Sequence, residues 1–288
     1  MSQFEWAVIP DGAHRVLDHG FVSLLWMAGD GDHEIVEDAR VSHHLGRKGD
    51  VADQKLIRYM MRNNHGTPFE GVVFKFLIRC PIFVARQWFR HRMASYSETS
   101  GRYVKLPNLV FVPAQMRIPG SSNKQGSVIP ETMRDVAPHI DSDYQYTGES
   151  EPEMLRTLAF ISNVLGTDDP VSVWNDTMRK RMEKHLNRCL YEYDYLIAHG
   201  VALEQARLVL PMAIYTEFRW TVNLRSLMHF IALRCAGNAQ SEIRDYADIL
   251  LTIMRGALPW TADAFEQYIL GRGENGRETA SGSAARGV

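Results

Sequence analysis

The densest polar chemistry of the chain lies in Arg86–Tyr103, RQWFRHRMASYSETSGRY. Arg86, Arg90, Arg92, Arg102, His91, Glu98, three serines and several aromatic residues stand within these eighteen positions. A guanidinium offers a planar fork of donors that matches phosphate oxygens, and neighbouring rings can stack on a base or a fused ring system. This is the chemistry of a pocket for a phosphorylated, ring-bearing ligand. The same composition also fits a solvated basic turn, or an arginine and aromatic surface for nucleic acid. Against the last, Lys and Arg total 32 and Asp and Glu 34, a formal net charge of −2 over 288 residues. A general basic field is absent, so any bound anion must be held by a local cluster.

Cys80, Cys189 and Cys235 are too widely spaced for a disulfide framework or a CxxC metal site. None sits in a polar, helix-starting context that would lower a thiol pKa, so all three read as small core residues and no metal site is expected. With 45% hydrophobic and 23% charged residues the chain reads as globular. Its opening segment, MSQFEWAVIPDGAHRV, lacks the basic and apolar regions of a signal peptide, and no run approaches the ~18 apolar residues of a membrane span. A cytoplasmic protein with reduced thiols is expected, with no membrane or nucleic-acid partner.

The elements that must position the polar segment can be read from periodicity. Gly20–Ala28 reads as a strand, and Asp53–Asn64 as a helix with Asp53 at its N-cap and Leu56, Ile57, Met60 and Met61 on one side. In Val73–Cys80 the period changes to two: Phe74, Phe76, Ile78 and Cys80 share one face and Lys75 and Arg79 the other. Pro81 suits the first turn of the next helix. Pro113–Ser150, rich in Pro, Gly, Ser and Asn, reads as an extended, mobile surface excursion. Pro152–Leu165 and Pro170–His199 read as helices, the second with a core or interface stripe of Met178, Met182, Leu186, Leu190, Tyr193 and Ile197. Ile214–Val222 reads as a strand, with Asn223 capping a helix over Leu224–Arg234; Ala239–Gly256 and Thr261–Leu270 complete the helices. Strands and helices mix without regular alternation, which favours α+β. Residues 1–270 are expected to form a single domain and 271–288, nearly devoid of large apolar residues, a disordered tail.

Order within the polar segment is more specific than its composition. Arg90-His91-Arg92, Ser95, Glu98, Ser100 and Arg102-Tyr103 together resemble the signature of the flavin-dependent thymidylate synthases. His65-Gly66-Thr67-Pro68-Phe69-Glu70, Pro81 through Phe89, Ala206 through Pro211 and Tyr215 through Arg234 resemble further segments of that family, in the same order. The resemblance implies a central antiparallel sheet surrounded by helices, and four identical chains that share active sites. It implies conversion of dUMP to dTMP, with methylenetetrahydrofolate as carbon donor and FAD, reduced by NADPH, as hydride source. A hydride-initiated route of this kind needs no cysteine nucleophile.

Carried over residue by residue, the resemblance assigns dUMP to Gln87, Trp88, Phe89, Arg90, Glu98, Thr99, Ser100, Gly101, Arg102 and Arg207. Arg234 is assigned the catalytic place facing the uracil, where a guanidinium opposes developing negative charge. FAD is assigned to Thr67, Arg90, His91, Arg92, Glu98, Asn223, Leu224, Arg225 and His229, with His65 nearby. Ser97 and His229 stand where the family often has Asn, and Asn238 where it often has His. Two other outcomes fit parts of the pattern: one-carbon transfer to another pyrimidine nucleotide, and nucleic-acid binding by the arginine and aromatic cluster.

Overall fold

A computed structural model describes residues 8–120, 126–139 and 169–272. The expected helix over 152–165 and nearly all of the expected tail lie outside these residues. Chain contacts divide the protein into two compact units, Met1–Leu109 with Ile214–Val288, and Val110–Ala213. The first unit carries β1 (His14–Val16), β2 (Gly20–Ala28), α1 (Asp32–Arg40), α2 (Asp50–Arg62), β3 (Val73–Pro81), α3 (Ile82–Trp88) and β4 (Ser95–Glu98). The second carries β5 (Ile118–Pro119), β6 (Ser127–Val128), α4 (Met133–Val136), α5 (Pro170–Ala198) and α6 (Leu203–Ala206). The chain then re-enters the first unit as β7 (Tyr215–Asn223), α7 (Leu224–Arg234), α8 (Ser241–Ala257) and α9 (Pro259–Tyr268). The architecture is α+β, built on an antiparallel sheet in the order β1-β2-β3-β7-β4.

The sheet follows from the period-two pattern of β3 and β7. Phe74, Phe76, Ile78 and Cys80 pair across the ladder with Val222, Trp220, Phe218 and Thr216, and all eight are buried. On the opposite face Arg79 meets Glu217, with Nη2 2.6 Å from Oε1, and its guanidinium lies 4.8 Å over the Phe21 ring. Arg79 thus points away from the core face, as expected from alternation, yet is buried because it is paired.

Helices cover the core face. Ile243, Tyr246, Ala247, Leu250, Leu251 and Met254 of α8 recur at helical spacing and are buried. The Tyr246 hydroxyl donates to the Arg79 carbonyl at 2.8 Å and passes so close to Gly20 that a Cβ there would lie 2.0 Å from it. Only glycine fits at that crossing. Asp32 of α1, also buried, accepts from the Trp260 and Thr261 amides at 2.8 and 3.0 Å and so caps α9 from a distant part of the chain.

Asp53 is not an N-cap. The helix begins a turn earlier, after Gly49 at φ 94°, and Asp53 lies fully buried inside it. Arg40 Nη1 reaches its carboxylate at 2.7 Å and Arg47 Nε at 3.1 Å, and this pairing makes an inward-facing carboxylate tenable. Ile57, Met60 and Met61 share the buried side, with Leu56 packed at its margin. Pro81 ends β3 and stands at the N-cap of α3, one position before the first turn. The sequence pattern left β1, α1 and β4 unassigned.

In the second unit the described part of the 113–150 excursion is not featureless. Met116, Ile118 and Val136 are buried, β5 pairs with β6, and the Met116 amide donates to Asn175 of α5 at 2.7 Å. Of the α5 stripe, Leu186, Leu190 and Tyr193 are buried, whereas Met182 is exposed.

Candidate active site

α3 buries Val84, Ala85 and Trp88. Its other side carries Arg86, exposed, and Gln87, half-buried, and the turn beyond presents Arg90 and Arg92 to solvent. Arg86, Arg90 and Arg92 form no ion pair among the described residues. Three guanidinium groups that the fold does not neutralise are therefore available to an anion.

Arg234, at the last turn of α7, reaches back to this segment. Its Nε–H donates to His91 Nε2 at 3.1 Å and its Nη2 to the Gln87 carbonyl at 3.2 Å. His91 is half-buried; burial first, then the charges of Arg234 and His229, push its pKa down to about 4. The imidazole is therefore neutral at physiological pH, with Nε2 as acceptor and its proton on Nδ1. Burial also lowers the pKa of Arg234, which still remains charged. Tyr96 steadies the turn from below by donating its hydroxyl to the His91 carbonyl at 2.7 Å.

β4 delivers the rest of the signature. Glu98 accepts from the buried Thr216 hydroxyl at 2.8 Å, and the Thr99 amide donates to the Glu217 carbonyl at 2.9 Å. The chain then turns at Ser100, whose carbonyl accepts from the Tyr103 and Val104 amides at 3.0 and 3.2 Å. The Glu98–Arg102 loop is thus tied to β7 at its entry and closed on itself at its exit.

Next to this cluster is a cleft of about 240 Å³. Met60, Met61, Phe69, Met228, Ala232, Phe265 and Ile269 form apolar walls, while Asn64, His65, Arg225 and His229 supply polar groups. The His229 ring lies 6.0 Å from that of His91, so one histidine joins the cleft to the Arg234 cluster. Gly66 lines the cleft beneath Arg225, where a Cβ would lie 2.7 Å from Nε; the backbone is bare where the guanidinium crosses it. Apolar walls with a few polar groups suit a planar, hydrogen-bonding ring, and the unpaired arginines suit a diphosphate.

Comparison with known proteins places the chain in a family. The family model of the thymidylate synthase complementing protein matches residues 23–260. A flavin-dependent thymidylate synthase of Thermotoga neapolitana is 37% identical over 253 residues, 88% of this chain and 94% of that one. Another, from a strain of Thermus thermophilus, is 39% identical over 88% of this chain and 78% of its own. Among solved structures, a UMP/dUMP methylase, PolB, from Streptomyces cacaoi bound with 5-Br dUMP matches with a TM-score of 0.64. It is 28% identical, and the match covers 88% of this chain and 97% of that one. The chain belongs to the thymidylate synthase complementing protein family.

Within this family member the first unit brings together Gln87, Arg90, His91, Arg92 and Arg234, and beside them Glu98–Arg102. Arg207 lies in the second unit, exposed on a short 3-10 turn. Other residues assigned to ligands are engaged within the fold. The Trp88 side chain is fully buried, its ring against Phe218, Trp220, Phe230 and Tyr246 at centroid distances of 4.6–5.8 Å; only its backbone can meet a ligand. Phe89 packs edge-on to Tyr96 and Phe218. Leu224 is fully buried and its amide donates to the Val72 carbonyl, which leaves neither side chain nor N–H for FAD. Asn223 accepts from the Ser226 amide at 2.9 Å as the helix cap, so its oxygen is committed. Arg225 is paired with Glu70, which reduces the charge it can offer a phosphate.

The cysteines separate. Burial and then the Glu98 charge push the Cys80 thiol well up, and burial and then Asp248 push Cys235 up to about 12. Cys189 is no core residue: it lies half exposed on α5, with its sulfur 3.8 Å from His185. Sequence reasoning missed Tyr96, Thr216 and Gln240, whose amide oxygen accepts from Gln87 at 2.6 Å. Tyr96 lies inside the signature and was within reach; the others act across separations of 118 and 153 residues, for which a single sequence carries no signal.

Proposed function

We propose that this chain is a flavin-dependent thymidylate synthase that converts dUMP to dTMP, taking a methylene carbon from methylenetetrahydrofolate. The observation that carries the reading is the fixed Arg234 guanidinium beside unpaired arginines and an apolar cleft. When bound, FAD reduced by NADPH supplies the hydride. Arg90 and Arg92 would hold its diphosphate, and His65, Gly66 and His229 would border its ring. His91, being neutral, contributes a hydrogen bond there and not a charge.

On the nucleotide side, Arg102 opposes the phosphate dianion, with Ser100 and Gly101 adding polar groups of the turn. Arg234 faces the uracil and stabilises negative charge that develops on the ring as carbon–carbon bond formation proceeds. Its two hydrogen bonds hold it in place before substrate arrives, so little reorganisation is needed. Neither Cys80 nor Cys235 is ionised at neutral pH, which agrees with a route that uses no protein thiolate.

The working form is a cytoplasmic homotetramer, with residues 1–270 acting as one catalytic domain. Met93, Tyr103 and Leu233, next in sequence to Arg92, Arg102 and Arg234, are 80%, 76% and 48% exposed. Large apolar side chains left open beside a polar site support its completion by neighbouring chains. No helix among the described residues is long and apolar enough to cross a membrane.

A second reading is the same reaction on UMP, supported by the likeness to a methylase of both nucleotides. Binding tests the proposal: purified protein takes up FAD, and dUMP then perturbs the visible flavin spectrum. Protein that takes up no FAD contradicts the proposal; a response to UMP equal to that with dUMP supports the second reading.

A further inference from the structure

Gln87 is held at two points. Its carbonyl accepts from Arg234 Nη2, and its side-chain Nε2 donates to Gln240 Oε1 at 2.6 Å. Gln240 precedes α8 and takes the N-cap position there without using its side chain to cap. The loop that presents it is pinned in turn: one Arg244 nitrogen donates to the Gly237 and Ala239 carbonyls at 2.8 and 2.7 Å. Both ends of the 234–240 connection are therefore attached to the end of α3.

An amide anchored through one N–H of its NH2 has its oxygen fixed in direction, ready to accept from whatever binds beside it. The Gln87 oxygen has no other partner among the described residues. We infer that Gln240 is a positioning residue that orients the Gln87 amide, so that Gln87 accepts a hydrogen bond from a donor group on the nucleotide and does not bind its phosphate. The inference rests on the reading that Gln87 contacts dUMP. Two donors on dUMP have this chemistry: the ring N3–H and the sugar 3′-hydroxyl.

The test uses the FAD-loaded full chain and follows nucleotide binding through the flavin spectrum, with FAD content and thermal unfolding recorded for each variant. Gln240→Ala frees the Gln87 amide and is expected to weaken dUMP binding about five- to tenfold, the effect of one ordering hydrogen bond, with FAD content unchanged. Gln240→Glu keeps an acceptor and is expected to retain most of the affinity. N3-methyl-dUMP and 3′-deoxy-dUMP then identify the donor: the analogue lacking it binds more weakly to wild type and loses little further in Gln240→Ala. Equal dUMP affinity in wild type and Gln240→Ala overturns the inference, as does a loss in Gln240→Glu as large as in Gln240→Ala. Wild-type protein that holds FAD but binds no dUMP overturns the functional reading itself.

Discussion

Arg234 and His91, 143 residues apart, are joined by an Nε–H to Nε2 hydrogen bond of 3.1 Å. A cation donating to a neutral imidazole fixes both the guanidinium and the histidine tautomer. On the proposed function, His91 steadies the guanidinium and Arg234 faces the reacting ring. Arg234→Ala is expected to retain FAD and NADPH oxidation but to lose dTMP formation by two to three orders of magnitude, on the order of one lost transition-state donor. Equal loss of flavin binding and synthesis, measured by absorbance and product assay, would mark the residue as structural.

The low pKa of His91 gives a stability signature with a definite sign. Its folded value near 4 lies below the ordinary 6.5, so between these values the unfolded chain binds more protons. The contribution is fully present above pH 6.5 and is lost as pH falls toward 4. The stability of wild type relative to His91→Gln, read from unfolding midpoints, should therefore fall as pH drops from 6.5 toward 4. Wild type that gains on the variant over this range would contradict the neutral imidazole.

Trp88 offers a test of which part of the residue a ligand meets. Trp88→Ala removes a fully buried indole from the centre of the core and should cost about 3–5 kcal/mol by denaturant unfolding. Trp88→Phe should keep nucleotide binding close to wild type. A folded Trp88→Phe variant that binds FAD but has lost dUMP would return the side chain to the site.

Arg40 and Asp53 provide a test far from the chemistry. Arg40→Ala leaves a fully buried carboxylate with only Arg47 and one amide, and about 3–5 kcal/mol of stability should be lost. A loss below about 1 kcal/mol would mean that the pair behaves as a surface contact.

The strands were legible where one face alone is apolar. Alternation in Val73–Pro81 and the β-branched, aromatic run before Asn223 determine both pairing partners and the capped helix that follows. Sequence failed where tertiary partners override local pattern. Asp53 reads as a cap until Arg40 and Arg47 turn it inward, and β4, a polar edge strand, has no alternation to detect. In the site, motif order singled out the arginines and Arg234. It did not distinguish Gln87, on the outer side of α3, from Trp88, which turns into the core, because adjacent residues on a short helix share a motif but not a direction.

The central claim is tested most directly by anaerobic turnover of the FAD-loaded protein. NADPH should bleach the flavin band; adding dUMP and methylenetetrahydrofolate should restore it with formation of dTMP in matching amount. Restoration with no methylated nucleotide, or a flavin that NADPH leaves oxidised, would contradict the account.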